Sequence, residues 1–189
     1  QPLRNMKTTL LAIVIGLQTA WVIGTVAVQE QQLAHGNVIL LETRPVDPRD
    51  LLRGDYVILG YDFSSVPVTK FTPPVPDSNL LTPGRDVFAE LKPDGAFHRL
   101  DRVSLEPVVP QPGNVVLRGK LRWQWQPANQ AVTEVSVAYG LEQYFVREGT
   151  GNPRGKLTVE VSVPVSGHAL IKQVYLDGVP YAQAIRAQQ

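Results

Sequence analysis

Six ionisable residues crowd one short stretch: Arg44, Asp47, Arg49, Asp50, Arg53 and Asp55. Carboxylates this close have two chemical uses. A pair can share general-acid and general-base work, or several oxygens can hold a hard cation. Neither use suits the pattern. Three interleaved guanidinium groups neutralise the three anions, which disfavours Ca²⁺, and the spacing is not that of an EF-hand loop. The same residues are suited to a tight chain reversal. Pro45 and Pro48 fix φ and exclude regular pairing. Asp47 and Asp50 can cap neighbouring N–H groups, so Asp50–Arg53 reads as a single helical turn. Gly54 admits a positive φ before the chain enters a strand. Tyr56 and Tyr61 follow as aromatics with one polar end, suited to a core or an interface. Arg44, Asp47, Arg49, Asp50, Arg53, Asp55, Tyr56 and Tyr61 are therefore the candidate interaction surface.

Other chemistries find less support. His35, His98 and His168 do not pair at ligand spacing. There is no Gly-x-Ser-x-Gly and no Ser-x-x-Lys. A membrane-anchored Ser/Lys protease would need a Ser-Met-x-Pro segment, and the single methionine is Met6. Gly149–Lys156 is glycine-rich, but Leu157 follows where a phosphate loop needs Ser or Thr, and Pro153 interrupts it. A hairpin loop is the better reading. Cysteine is absent, which removes disulfides, zinc–thiolate sites and thiol nucleophiles. No catalytic residue, cofactor or metal is expected, and the chain reads as a non-enzyme.

The elements that position these residues are strands. Asn37–Thr43, Asp55–Phe63, Arg85–Lys92, Ala96–Leu105, Val115–Gln126, Ala131–Tyr139, Leu141–Val146, Leu157–Val163 and Ala169–Leu176 read with a period of two or as short apolar runs. Val115–Gln126 alternates most cleanly. Leu117, Leu121, Trp123 and Trp125 share one face, and Arg118, Lys120, Arg122 and Gln124 share the other. That basic row reads as a solvated sheet face. Residues 64–84, with five prolines, read as a long irregular loop. The tail from Pro180 admits one or two helical turns. The expected fold is mainly β: one antiparallel sandwich or barrel-like domain.

Ahead of that domain, Thr8 to Gln29 runs 22 residues without a charge, after Arg4 and Lys7. As a helix it reaches about 33 Å, enough for a hydrocarbon core of about 30 Å. A cleaved signal has a shorter apolar core, and a buried helix keeps a polar stripe, so a retained anchor is the better reading. The expected layout is a cytoplasmic tail over 1–7, a transmembrane helix over 8–29 and an extracytoplasmic domain, periplasmic or lumenal, over 30–189. Beyond Arg4 and Lys7 the chain keeps 16 cations against 17 anions. A near-neutral domain gives no electrostatic reason to expect nucleic acid.

Gly54-Asp55-Tyr56-Val57-Ile58-Leu59-Gly60-Tyr61 fits the pattern GDYxxLxY at each fixed position. The chain resembles the bacterial family named for it, the GDYXXLXY proteins. An N-terminal anchor, the Pro45–Asp50 run and Tyr144-Phe145-Val146 before a Gly-containing loop add to the likeness. The resemblance implies no particular activity. It implies a membrane-anchored protein, in some cases encoded beside or fused to multi-pass membrane proteins. The expected role is an anchored accessory or scaffold subunit whose domain docks on a larger integral membrane complex. Its contact surfaces would be the Pro45–Asp55 reversal, the 64–84 loop and the apolar helix. A module binding a small ligand, glycan or peptide is the alternative, and a hydrolase using Asp50 or Asp55 comes third.

Overall fold

The computed structural model describes residues 2–44, 56–122, 132–146 and 155–188. Helix α1 spans Pro2–His35. It passes the expected limits of the apolar run because no breaker stands before Gly36. Leu10–His35 is long and apolar enough to cross a membrane. From Leu10 to Gln31 the helix is exposed and stands off the β domain. Its polar interruptions are accommodated locally. The Thr19 hydroxyl donates to the Ile15 carbonyl at 2.9 Å, and Thr25 to Val22 at 2.8 Å. Polar side chains that bond back to their own helix are tolerated in an apolar medium.

Among the described residues three antiparallel sheets follow and curl into a half-barrel. The first runs β1-β9-β10-β11, with β1 at Asn37–Glu42, β9 at Leu157–Val163, β10 at Leu170–Leu176 and β11 at Val179–Pro180. The second is a ribbon of β2 (Tyr56–Ile58) and β8 (Gln143–Phe145). The third runs β3-β7-β6-β4-β5, with β3 at Ser65–Pro67, β4 at Asp86–Asp94, β5 at Phe97–Ser104, β6 at Val115–Leu121 and β7 at Glu134–Ala138. Helix α2, Tyr181–Gln188, closes the chain. Alternation places one apolar set inside. Ile39 and Leu41, Val87, Ala89 and Leu91, Leu117, and Val159 and Val161 form a common core.

Two expectations are corrected and a third gains detail. The segment 64–84 is not simply a loop. Val66 and Phe71 are buried, β3 pairs with β7, and Phe71 bridges Val103. Its prolines flank short elements without preventing them. The strand expected over Asp55–Phe63 is only three residues long, because Asp62–Ser64 turns into a 3-10 helix. Arg118, Lys120 and Arg122 line a solvent-facing row, as expected, and also form ion pairs. Arg118 pairs with Asp86 at 2.6 Å, Lys120 with the same carboxylate at 3.6 Å, and Arg122 with Glu142 at 3.9 Å. Trp123 and Trp125 lie outside the described residues.

Among the described residues one charge is fully buried. Glu90 lies mid-strand in β4, beside a register shift against β5. Its carboxylate accepts from Arg102 Nε at 2.7 Å, the Gln111 N–H at 2.7 Å and Asn114 Nδ2 at 2.8 Å. These bonds pin the 105–114 loop over the sheet. Burial pushes the Glu90 carboxyl up, but the three donors outweigh it and hold it below the ordinary 4.5. Stability from this group is therefore present above about pH 4.5 and lost as pH falls through the lower folded value. Glu90→Gln leaves Arg102 without its anion and should cost about 2–3 kcal/mol at neutral pH. Denaturant titrations between pH 7 and 3 should show the wild type losing stability faster than the variant on acidification. Parallel profiles would contradict the assignment.

Candidate functional site

The GDYxxLxY segment is built inward on one side and outward on the other. Asp47, Arg49, Asp50, Arg53 and Asp55, with the expected caps, helical turn and Gly54, lie outside the described residues. Arg44 and Tyr56–Tyr61 are described. Tyr56 pairs with Phe145, Val57 with Tyr144 and Ile58 with Gln143. Ladder bonds continue past the C-terminal end of the strand: Leu59 N–H donates to the Glu142 carbonyl, and Arg44 N–H to the Gly60 carbonyl, each at 2.8 Å. The Arg44 side chain pairs with Asp62 on the surface.

Val57, Leu59 and Tyr61 face the core. Tyr61 is 2% exposed, so its ring is a core element and does not belong to an interaction surface. It stacks on Phe63 at 5.0 Å between centroids, and Phe63 meets the edge of Tyr139 at 5.1 Å. The Tyr61 hydroxyl donates to the Leu141 carbonyl at 2.9 Å, and the Tyr139 hydroxyl to the Phe63 carbonyl at 3.1 Å. Burial, with the Glu142 carboxylate nearby, pushes both phenols far above the ordinary range, so both stay protonated donors. Glu142 itself accepts from the N–H groups of Tyr139 at 2.6 Å and Gly140 at 3.0 Å. This carboxylate caps a turn.

The outward face differs. Phe145 is 74% exposed and Ile58 43%, with Tyr56 half-buried between them. The Tyr56 and Phe145 rings meet edge to face at 6.4 Å. Three apolar side chains thus share the solvent side of a two-stranded ribbon. Alternation already places Ile58 beside Tyr56. Phe145 joins them through a pairing across 89 positions of chain, which no local pattern signals.

A cleft of about 620 Å³ lies elsewhere, on the outer face of the five-stranded sheet. Asp86, Phe88 and Arg118 are among its lining residues, with the 105–110 loop and Pro164–Gly167 as walls. Arg118 sits 5.9 Å above the Phe88 ring. The Arg118 hydrogen bond, with Lys120 nearby, holds the Asp86 carboxyl below its ordinary range. His98 has a buried Nδ1 without a hydrogen bond, and burial lowers its pKa. Among the described residues no three His, Cys, Asp or Glu side chains gather as a metal site.

Two substitutions separate the roles of the Tyr61 ring and hydroxyl. Tyr61→Phe orphans the Leu141 carbonyl and should cost about 1 kcal/mol. Tyr61→Ala also empties the aromatic cluster and should cost about 3–5 kcal/mol. Urea unfolding of the detergent-solubilised chain measures both. Equal, small losses would contradict the packing role.

No curated protein and no solved structure matches the chain. One family model does, described as GDYXXLXY protein, over residues 18–174. Its fixed positions Leu59 and Tyr61 are the inward-facing residues just described. The match covers most of the chain, from within α1 into β10, and the protein belongs to the GDYXXLXY family.

Proposed function

We propose that this protein is a membrane-anchored, non-enzymatic accessory or scaffold subunit. Its β domain, held on the extracytoplasmic side, docks on a larger integral membrane protein complex. The observation that carries this reading is the outer face of the β2–β8 ribbon. Tyr56, Ile58 and the largely exposed Phe145 form an apolar, partly aromatic surface beside the family motif. Aromatic side chains concentrate binding energy at protein interfaces. The exposed apolar helix supplies the anchor, and Arg4 and Lys7 before it favour a cytoplasmic N-terminus.

A second reading has its own observation. The cleft beside Arg118 is large enough for a small ligand, and its walls mix Val and Pro with an ion pair. Arg118 Nε and Asp86 Oδ1 are buried there without hydrogen bonds. A binding module would use that site and leave the ribbon face free.

A double substitution, Ile58→Ser with Phe145→Ala, decides between them. Both side chains are solvent-facing, so stability should change by less than about 1 kcal/mol. On native gels after mild detergent extraction, the wild type should co-migrate stoichiometrically with a larger membrane complex, and the variant should run alone. Wild type running alone would sink the subunit reading. An unchanged complex with the variant would move the contact away from the ribbon.

A further inference from the structure

The joint between helix and domain has almost no linker. Gly36 is the only residue between α1 and β1. Its N–H donates to the Gln32 carbonyl at 3.1 Å. The Ser162 hydroxyl of β9 donates to the same carbonyl at 2.9 Å. A Cβ on Gly36 would collide with the Ser162 hydroxyl and lie 3.0 Å from the Val163 backbone. The last helical turn is thereby stapled to β9.

That staple fixes which end of the domain faces the bilayer. The uncharged run ends at Gln29, and burial against the domain begins at Gln32. Three helical residues span about 4.5 Å. Each headgroup layer is roughly 5–7 Å thick. The helix-proximal end of the domain therefore starts within the headgroup layer. β9 runs antiparallel to β1 and ends with Val163 opposite Asn37, the first residue of β1. Chain that continues past Val163 points back toward the helix. It does so as the turn Pro164–Gly167, closed by a 2.9 Å bond from Gly167 N–H to the Pro164 carbonyl. Val165 at its tip is fully exposed. Across the cleft, which Asn37 also lines, the 105–114 loop presents Val109, 87% exposed, between Pro107 and Pro110. Residues 164–169 carry no Asp, Glu, Lys or Arg, and 105–114 carries only Glu106.

We propose that these two loop tips form a bilayer-contact face, with Val165 and Val109 immersed in the lipid interface beside the anchor. The partner is the lipid surface itself. The contact is apolar, since neither loop brings a cation to attract anionic headgroups. The face would hold the domain upright on the membrane at a fixed height. This inference rests on the anchored reading above.

The chain has no cysteine, so single cysteines can be labelled without background. Full-length protein is reconstituted in phosphatidylcholine vesicles, with an environment-sensitive fluorophore at Val165→Cys, Val109→Cys, Val179→Cys or Ile15→Cys. Val179 is an exposed valine at the opposite end of the sheet, paired with Leu176. Quenchers attached at the headgroup and deep in the acyl chain read depth. Labels at 165 and 109 should be blue-shifted and quenched severalfold more by the headgroup quencher than the label at 179, while the label at 15 responds to the deep quencher. A deep response at 15 with equal quenching at 165 and 179 overturns the contact face alone. No deep response at 15 overturns the anchored reading and the contact face together.

Discussion

The β2–β8 ribbon belongs to neither larger sheet, and its attachment to the body depends on two buried phenols. A ribbon of three residues per strand is marginal by itself. Tyr61 and Tyr139 reach across it in opposite directions, each donating to a carbonyl on the other's segment, Leu141 and Phe63. Phe63 lies between their rings. Each hydroxyl satisfies a backbone acceptor that would otherwise be buried without a partner. The outward face of the ribbon, and with it the placement of Tyr56, Ile58 and Phe145, follows from this clamp. Two of the family pattern's positions thus have a physical account: Leu59 fills the core and Tyr61 ties it shut.

The strands were legible in sequence where one face is buried and the other wet. β9 runs Leu157–Val163 and β1 begins at Asn37, both as alternation and apolar patterning place them. Legibility failed where long-range contacts override local pattern. β3 lies in a proline-rich stretch and exists because Ser65–Pro67 finds β7 as a partner. Glu90 reads by alternation as an exposed position of a half-buried strand, yet a loop some twenty residues downstream covers it and supplies two of its three donors. The Tyr56–Phe145 pair was invisible for the same reason. Of the ionisable cluster from Arg44 to Asp55, only Arg44 is among the described residues, and it pairs with Asp62 outside the cluster.

Several described carboxylates of the body hold loops and turns in place. Glu90 pins a loop, Glu142 caps a turn, and Asp177 receives the Lys156 N–H at 2.8 Å in the turn before β11. Asp86 gathers Arg118 and Lys120, converting a basic row into a balanced one. At Glu90 and Asp86 the fixed donors hold the carboxyl below its ordinary range. Electrostatics therefore does little to distinguish one outer surface of this domain from another.

Apolar exposure varies more among the described residues, and two of the places where it occurs have different geometric constraints. The ribbon face is attached to the core by the tyrosine clamp and is independent of the helix. The Val165 tip is attached to the helix through β9 and the Gly36 joint. On the anchored reading proposed above, that joint would restrict the domain to one orientation about the anchor, apart from rotation around the membrane normal. A ribbon face on such a body would meet neighbours in the membrane at a constant height. Orientation lost in advance lowers the entropy cost of association, because fewer degrees of freedom remain to be frozen. On the proposed reading, a small apolar patch of three side chains would then need less binding energy for docking than the same patch on a freely tumbling domain.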